Sequence, residues 1–148
     1  MHLKQIIYIM SPTLMRIIAH FSLVLLLVAV SEAAIFPHRV DIELLNKLSD
    51  NKKLTIHCYE RYGEDLGELI LPPGGKLNFA FRPRVVGKSS KYYCSLKWDG
   101  SNLKWFDMWS QGRDYNACRL CKWIVNEKEA CRFDYGSGAY SVCVVYNQ

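Results

Sequence analysis

From Val40 onward the chain alternates apolar and polar side chains in short stretches, and no stretch of this part sustains helical periodicity beyond two turns. Val40, Ile42 and Leu44 alternate with Asp41 and Glu43, and Leu54, Ile56 and Cys58 alternate with Thr55 and His57. Leu66 to Leu71 follows, then Leu77, Phe79 and Phe81 alternating with Asn78, Ala80 and Arg82. Further runs cover Lys91 to Trp98, Leu103 to Trp109, Cys121 to Val125, Ala130 to Tyr135 and Tyr140 to Tyr146. A period of two places successive side chains on opposite faces of a strand, so the pattern predicts about eight or nine half-buried strands. The breaks have turn chemistry. Pro72-Pro73-Gly74-Gly75 cannot continue a ladder, Asp99-Gly100 is a hairpin signal, Asn126 to Glu129 makes a polar tip, and Gly136-Ser137-Gly138 separates the last two strands. The fold class expected is all-β, a small disulfide-bonded antiparallel β-sandwich.

Trp98, Trp105, Trp109, Trp123, Phe79, Phe81 and Phe106 supply the aromatic mass to fill such a core. Trp105 and Phe106 are neighbours, as are Met108 and Trp109. On a regular strand one member of each pair leaves the main core, so this strand is either covered on both sides or presents an aromatic contact outward.

The segment before the strands is different. Lys4 and Arg16 precede the apolar run Ile17 to Val30, and Ser31-Glu32-Ala33 offers small residues at the positions a signal peptidase reads. Residues 1–33 therefore read as a secretory signal cleaved after Ala33, with Met10 and Met15 as alternative starts. The apolar run of about 14 residues is shorter than the roughly 20 that span a bilayer, so no stable membrane insertion is expected after signal removal. Residues 34–148 form one secreted domain of 115 residues, long enough to bury a real core. Removing Lys4, Arg16 and Glu32 from the 19 basic and 14 acidic residues leaves a net charge of +4. That balance favours retention near acidic cell-wall polysaccharide or an anionic surface. The charges are interspersed, which argues against a nucleic-acid footprint.

All six cysteines follow residue 57. In an oxidising compartment they are expected as three bridges with no free thiol. Cys58 and Cys94 occupy inward positions of strands through the core and are paired. Cys121 and Cys131 are symmetric about Asn126, so a hairpin turning there pairs them, and Cys118 and Cys143 pair by elimination. Cys118-Arg119-Leu120-Cys121 has the spacing of a zinc knuckle or a dithiol redox motif. A second ligand pair for zinc is missing, and a strand follows where a redox motif would have a helix.

Several ordered motifs then carry a resemblance. His57-Cys58, Glu64-Asp65-Leu66-Gly67, Leu71-Pro72-Pro73-Gly74-Gly75, Phe79-Ala80-Phe81-Arg82-Pro83, Tyr92-Tyr93-Cys94, Lys97-Trp98, Gly112-Arg113-Asp114 and Cys118 through Cys121-Lys122-Trp123 resemble, in order and spacing, the plant self-incompatibility S-protein homologue family. The stretch runs from Val40 to Cys131. The resemblance implies a small secreted β-sandwich with paired cysteines. Its founding members are stigma-secreted ligands of a pollen-surface receptor.

The candidate chemistry is thin. Only His38 and His57 follow the signal, and no Gly-x-Ser-x-Gly elbow, phosphate-cradling loop or His-x-x-x-His pair occurs. A ribonuclease would need two placed histidines, and His57 reads as a structural, hydrogen-bonded side chain. Glu60, Glu64, Asp65 and Glu68 form an acidic loop without the ligand spacing of an EF-hand. Neither a cofactor nor a metal is expected. Loops on a rigid scaffold are the natural contact surface, so Glu60, Glu64 and Asp65 on one loop, and Arg84, Lys88 and Lys91 on a basic loop of opposite sign, are the partner-binding candidates. No Asn-x-Ser/Thr sequon is present. The function expected is that of a secreted, non-enzymatic signalling ligand for a cell-surface receptor or other extracellular protein. A secreted defence protein or hydrolase inhibitor is the alternative, separated from it by flower-restricted against infection-induced expression.

Overall fold

The computed structural model describes residues 11–35, 37–84 and 86–147, with backbone alone for 29–35. Lys4 and Met10 of the predicted signal, Val85 of the basic loop and the terminal Gln148 lie outside the described residues. The chain divides into two units, Met1–Phe36 and Pro37–Gln148. In the first, helix α1 runs Pro12–Ile35, and its described side chains are exposed. Among the described residues no helix is long and apolar enough to cross a membrane.

The second unit is all-β. Among the described residues nine strands follow in order: β1 Val40–Asn46, β2 Leu54–Glu60, β3 Asp65–Leu71, β4 Lys76–Phe81, β5 Lys91–Lys97, β6 Lys104–Ser110, β7 Leu120–Val125, β8 Glu129–Asp134 and β9 Ala139–Val145. A single helical turn, α2 Gln111–Asp114, links β6 to β7. One sheet has the order β4-β1-β7-β8-β9 and the other β3-β2-β5-β6. Every pairing is antiparallel except β1 with β7, which run parallel. β1, β2 and β5 alternate buried and half-exposed residues along their lengths, as period-two strands with one face on the core require. Ile42, Leu44, Leu54, Ile56, Leu96, Phe106, Met108, Trp109, Trp123 and Val125 are buried between the sheets.

β6 departs from simple alternation. Phe106 enters the core and Trp105 faces outward, so Trp105 is a correction to the expected core set. Met108 and Trp109, however, are both fully buried. The cause is a bulge: Tyr92 pairs with Trp109 and Tyr93 with Asp107, which leaves Met108 as the extra residue and lets two consecutive side chains turn inward. Beneath Trp123, Arg113 lies over the indole at 5.3 Å and pairs with the fully buried Asp114 at 2.8 Å. Arg132 approaches Asp114 from β8 at 3.2 Å. Two guanidiniums thus compensate one buried carboxylate, and removing Asp114 would leave the buried Arg132 without a counter-charge.

The bridges are Cys58–Cys94, Cys118–Cys121 and Cys131–Cys143. The first joins directly opposed residues of β2 and β5. The expected Cys121–Cys131 and Cys118–Cys143 pairs are corrected by register. Ile124 opposes Cys131 and Val125 opposes Ala130, so the β7–β8 turn is centred between Glu127 and Lys128 rather than on Asn126. Cys131 then shares the face of Ile124, whereas Cys121 points into the core on the other face. Cys143 on β9 directly opposes Cys131 on β8, and Cys121 bonds back to Cys118.

Candidate functional site

The two loops singled out by charge are joined to each other. Arg61 N–H donates to Lys91 O at 2.9 Å, and Glu60 N–H donates to Glu64 O at 2.7 Å, closing the β2–β3 turn. Glu60 does not reach solvent. Its side chain is only 5% exposed, with Oε2 accepting from Arg84 Nη2 at 3.2 Å and from Tyr62 N–H at 2.9 Å. Arg84 is held further along its loop, where its N–H donates to Ser90 Oγ and its carbonyl accepts from Gln111 Nε2. Opposite signs on the two loops therefore meet inside the structure. What remains outside is mostly cationic and aromatic: Tyr62, 40% exposed, has Lys88 Nζ at 4.5 Å, Arg61 at 5.5 Å and Arg84 at 5.8 Å from its ring centroid.

Asp65 is committed elsewhere. The β2–β3 ladder shifts register between His57 and Tyr59, with Leu66 and Gly67 opposing one residue of β2, and Gly67 at φ +78° permits the bulge. Asp65 is thereby brought opposite Tyr59, where Oδ1 receives His57 Nε2 at 2.6 Å and Gly67 N–H at 2.8 Å. The Gly67 amide first, and His57 second, hold its carboxyl below the usual range. With Nε2–H donating to Asp65, His57 Nδ1 accepts from the Tyr59 hydroxyl at 2.9 Å. The order hydroxyl, imidazole, carboxylate is that of a nucleophilic triad, but the phenol is poorly suited to the first role. Burial, then the charge of Asp65, push the Tyr59 hydroxyl above its ordinary value, the opposite of activation. The network locks an imidazole on a sheet face, as the sequence reading of His57 expects.

His57 and Tyr59 start an aromatic row across the outer face of the β3-β2-β5-β6 sheet. His57 stacks on Tyr59 at 4.2 Å, Tyr59 on Tyr93 at 5.5 Å, and Trp105 lies 6.0 Å from Tyr93. Register explains the cluster: Tyr59 opposes Tyr93, while His57 and Trp105 both oppose the small Ser95, which leaves room for the rings to lean together. Beside Trp105 and Tyr93 opens a cleft of about 360 Å³, lined also by Arg61, Lys91, Asp107 and Asn147.

The loop candidates thus separate. Glu64 and Lys88 are exposed on the joined loops; Glu60 and Arg84 form the tie between them; Asp65 anchors His57; and Lys91 pairs with Asp107 at 2.8 Å. The sequence reading covered Tyr62 only as part of the candidate loop from Tyr59 to Asp65, did not name Trp105 as a contact residue, and missed Asp107. Only the neighbouring pair Trp105-Phe106 signalled that an aromatic side chain of this strand must face outward.

Comparison with known proteins finds relatives of the whole β-unit. The family model described as plant self-incompatibility protein S1 matches residues 41–146, extending the resemblance through β9. S-protein homolog 4 of Arabidopsis thaliana is 32% identical over 110 residues, covering 72% of this chain and 71% of that protein. S-protein homolog 3 of the same plant matches to the same extent, and S-protein homolog 29 is 30% identical over 106 residues, covering 72% of this chain and 76% of its own.

Proposed function

We propose that this chain, which belongs to the plant self-incompatibility protein S1 family, is exported by its amino-terminal segment and acts as a non-enzymatic protein ligand recognised by a cell-surface receptor. The observation that carries this reading is the fusion of two loops into one surface. A signalling ligand needs a surface that is ordered before it meets its partner, because ordering side chains on binding subtracts from affinity. The Glu60–Arg84 tie and the Arg61 to Lys91 backbone bond supply that order. They leave Tyr62, Lys88 and Glu64 outward, and an aromatic ring among cations is the composition typical of binding hot spots. Residues 1–33, with their charged start and apolar run, support export and removal of this segment, with Ala34 as the first mature residue.

The test uses protein recovered from the medium of secreting plant cells. Tyr62→Ala combined with Lys88→Glu is expected to weaken binding to stigma, pollen or seedling surfaces about tenfold or more while leaving the melting temperature within a few degrees. His57→Ala is expected to retain binding if folded. Unchanged binding by the loop variant, or complete loss in a folded His57→Ala protein, would overturn the ligand reading.

A further inference from the structure

The cleft beside Trp105 adjoins the joined loops, sharing Arg61 and Lys91 with them, and has its own chemistry. Its floor is aromatic, from Trp105 on β6 and Tyr93 on β5, with Tyr59 backing Tyr93. Its rim mixes donors and acceptors. Asp107 Oδ2 receives Lys91 Nζ at 2.8 Å, which leaves its second oxygen as an acceptor, and Asn147 lines the cleft as well. Arg61 has no carboxylate partner among the described residues, although Asp107 and Glu60 on neighbouring strands are both already paired.

We propose that this cleft binds an acidic oligosaccharide, a short run of uronate residues. A pyranose ring offers an apolar C–H face to a flat indole or phenol and projects hydroxyls sideways, where each both donates and accepts. A floor of Trp105 and Tyr93 with Asp107 and Asn147 at the side matches that division of faces. The carboxylate of a uronate then meets the planar guanidinium of Arg61, which lies by the Tyr62 ring with no carboxylate partner among the described residues and is the side chain best shaped for a bidentate carboxylate contact. An acidic peptide added to the sheet edge is the other candidate for an exposed outer strand, but that edge is closed at this point. Trp105 N–H donates to Asn147 O at 2.9 Å and Asn147 N–H returns to Trp105 O at 2.8 Å, so the ladder positions an added strand would use are filled. The net charge of +4 after signal removal adds a weaker, non-directional pull of the same sign.

Calorimetric titration of the secreted protein with a short oligogalacturonide, a cello-oligosaccharide of equal length and a polyglutamate of matched charge tests this independently of any receptor. The oligogalacturonide is expected to bind best. Trp105→Ala and Arg61→Gln are each expected to weaken it about tenfold, while Lys88→Glu, which faces Tyr62 and not the cleft, changes it far less. Trp105→Phe, keeping a ring, should retain most of the binding, so loss through misfolding is separable from loss of stacking. Equal binding of polyglutamate, unaffected by Trp105→Ala, would overturn the site in favour of bare charge. Equal binding of the neutral sugar, or Arg61→Gln without effect, would overturn the acidic class, and absence of oligogalacturonide binding would overturn the proposal whole. Loss of receptor binding in the Tyr62 and Lys88 variant with oligosaccharide binding intact would show the two surfaces acting separately.

Discussion

Glu60 changes meaning between sequence and structure. Four carboxylates in nine residues read as a solvated acidic loop, yet Glu60 ends a strand whose alternation turns its side chain inward. There it meets Arg84, a residue 24 positions away whose approach no local pattern announces. Glu60→Ala is therefore expected to destabilise the protein by about 1–2 kcal/mol, the lower part of the range for losing a hydrogen bond to a charged group because Arg84 is half-exposed, whereas Glu64→Ala stays within about 0.5 kcal/mol. Thermal unfolding of the two variants measures the contrast, and equal melting temperatures would contradict the tie. Asp65 gives a second expectation at this scale. Its carboxyl is held below the unfolded value, so its contribution is present above the ordinary carboxylate range and is lost as pH falls through the lowered folded value. Asp65→Asn should be less stable near neutrality and show a shallower decline in melting temperature between about pH 5 and 2. A decline as steep as that of the parent would remove Asp65 from the acid response.

At the level of elements, the nine described strands were legible because several, β1, β2 and β5 above all, repeat with period two and the breaks between strands carry residues that stop a ladder. What could not be read was register. Symmetry about Asn126 suggested one cysteine pair, but Asn126 Oδ1 accepts from Lys128 and Glu129 N–H, folding the turn around the residues after it and shifting the axis. A shift of that kind moves Cys121 and Cys131 to opposite faces of the sheet. Bulges were equally hidden: Met108 on β6 and the Leu66-Gly67 step on β3 decide which side chains face the core and which meet His57. The parallel β1–β7 pairing, between strands far apart in sequence, also has no local signal. The bridge pattern has a measurable consequence. Loop closure scales with the separation of 36, 12 and 3 residues for Cys58–Cys94, Cys131–Cys143 and Cys118–Cys121. Their chain-entropy contributions are about 4, 3 and 2 kcal/mol. Paired Cys→Ser replacements should lower stability in that order, and peptide mapping without reduction should recover Cys131 linked to Cys143. A peptide linking Cys121 to Cys131 would refute the observed register.

At the scale of the sandwich, alkali is expected to act through tyrosines that close its core. Tyr92 packs against Phe81 at 4.1 Å and Phe79 at 5.5 Å, and burial, reinforced by Glu64 and Glu60, pushes its hydroxyl up to about 12. Tyr146 packs edge-on to Trp98 and Phe106 and donates to Asn126 O at 2.7 Å; burial raises its hydroxyl as well. Both groups keep their protons in the folded state at pH values where the unfolded chain has lost them. Their contribution is thus full below about pH 10, the unfolded value, and falls as pH rises toward 12. The two tyrosines should differ when replaced. Tyr92→Phe keeps the ring packing and removes the ionisable group, so it should cost little at neutral pH and flatten the alkaline decline. Tyr146→Phe also flattens it but leaves the Asn126 carbonyl without its donor, which should cost about 1 kcal/mol at neutral pH. Urea titrations at pH 7, 9, 10 and 11, chosen to bracket the unfolded tyrosine value, read both effects. An alkaline decline in Tyr92→Phe as steep as in the parent would show that Tyr92 does not govern it.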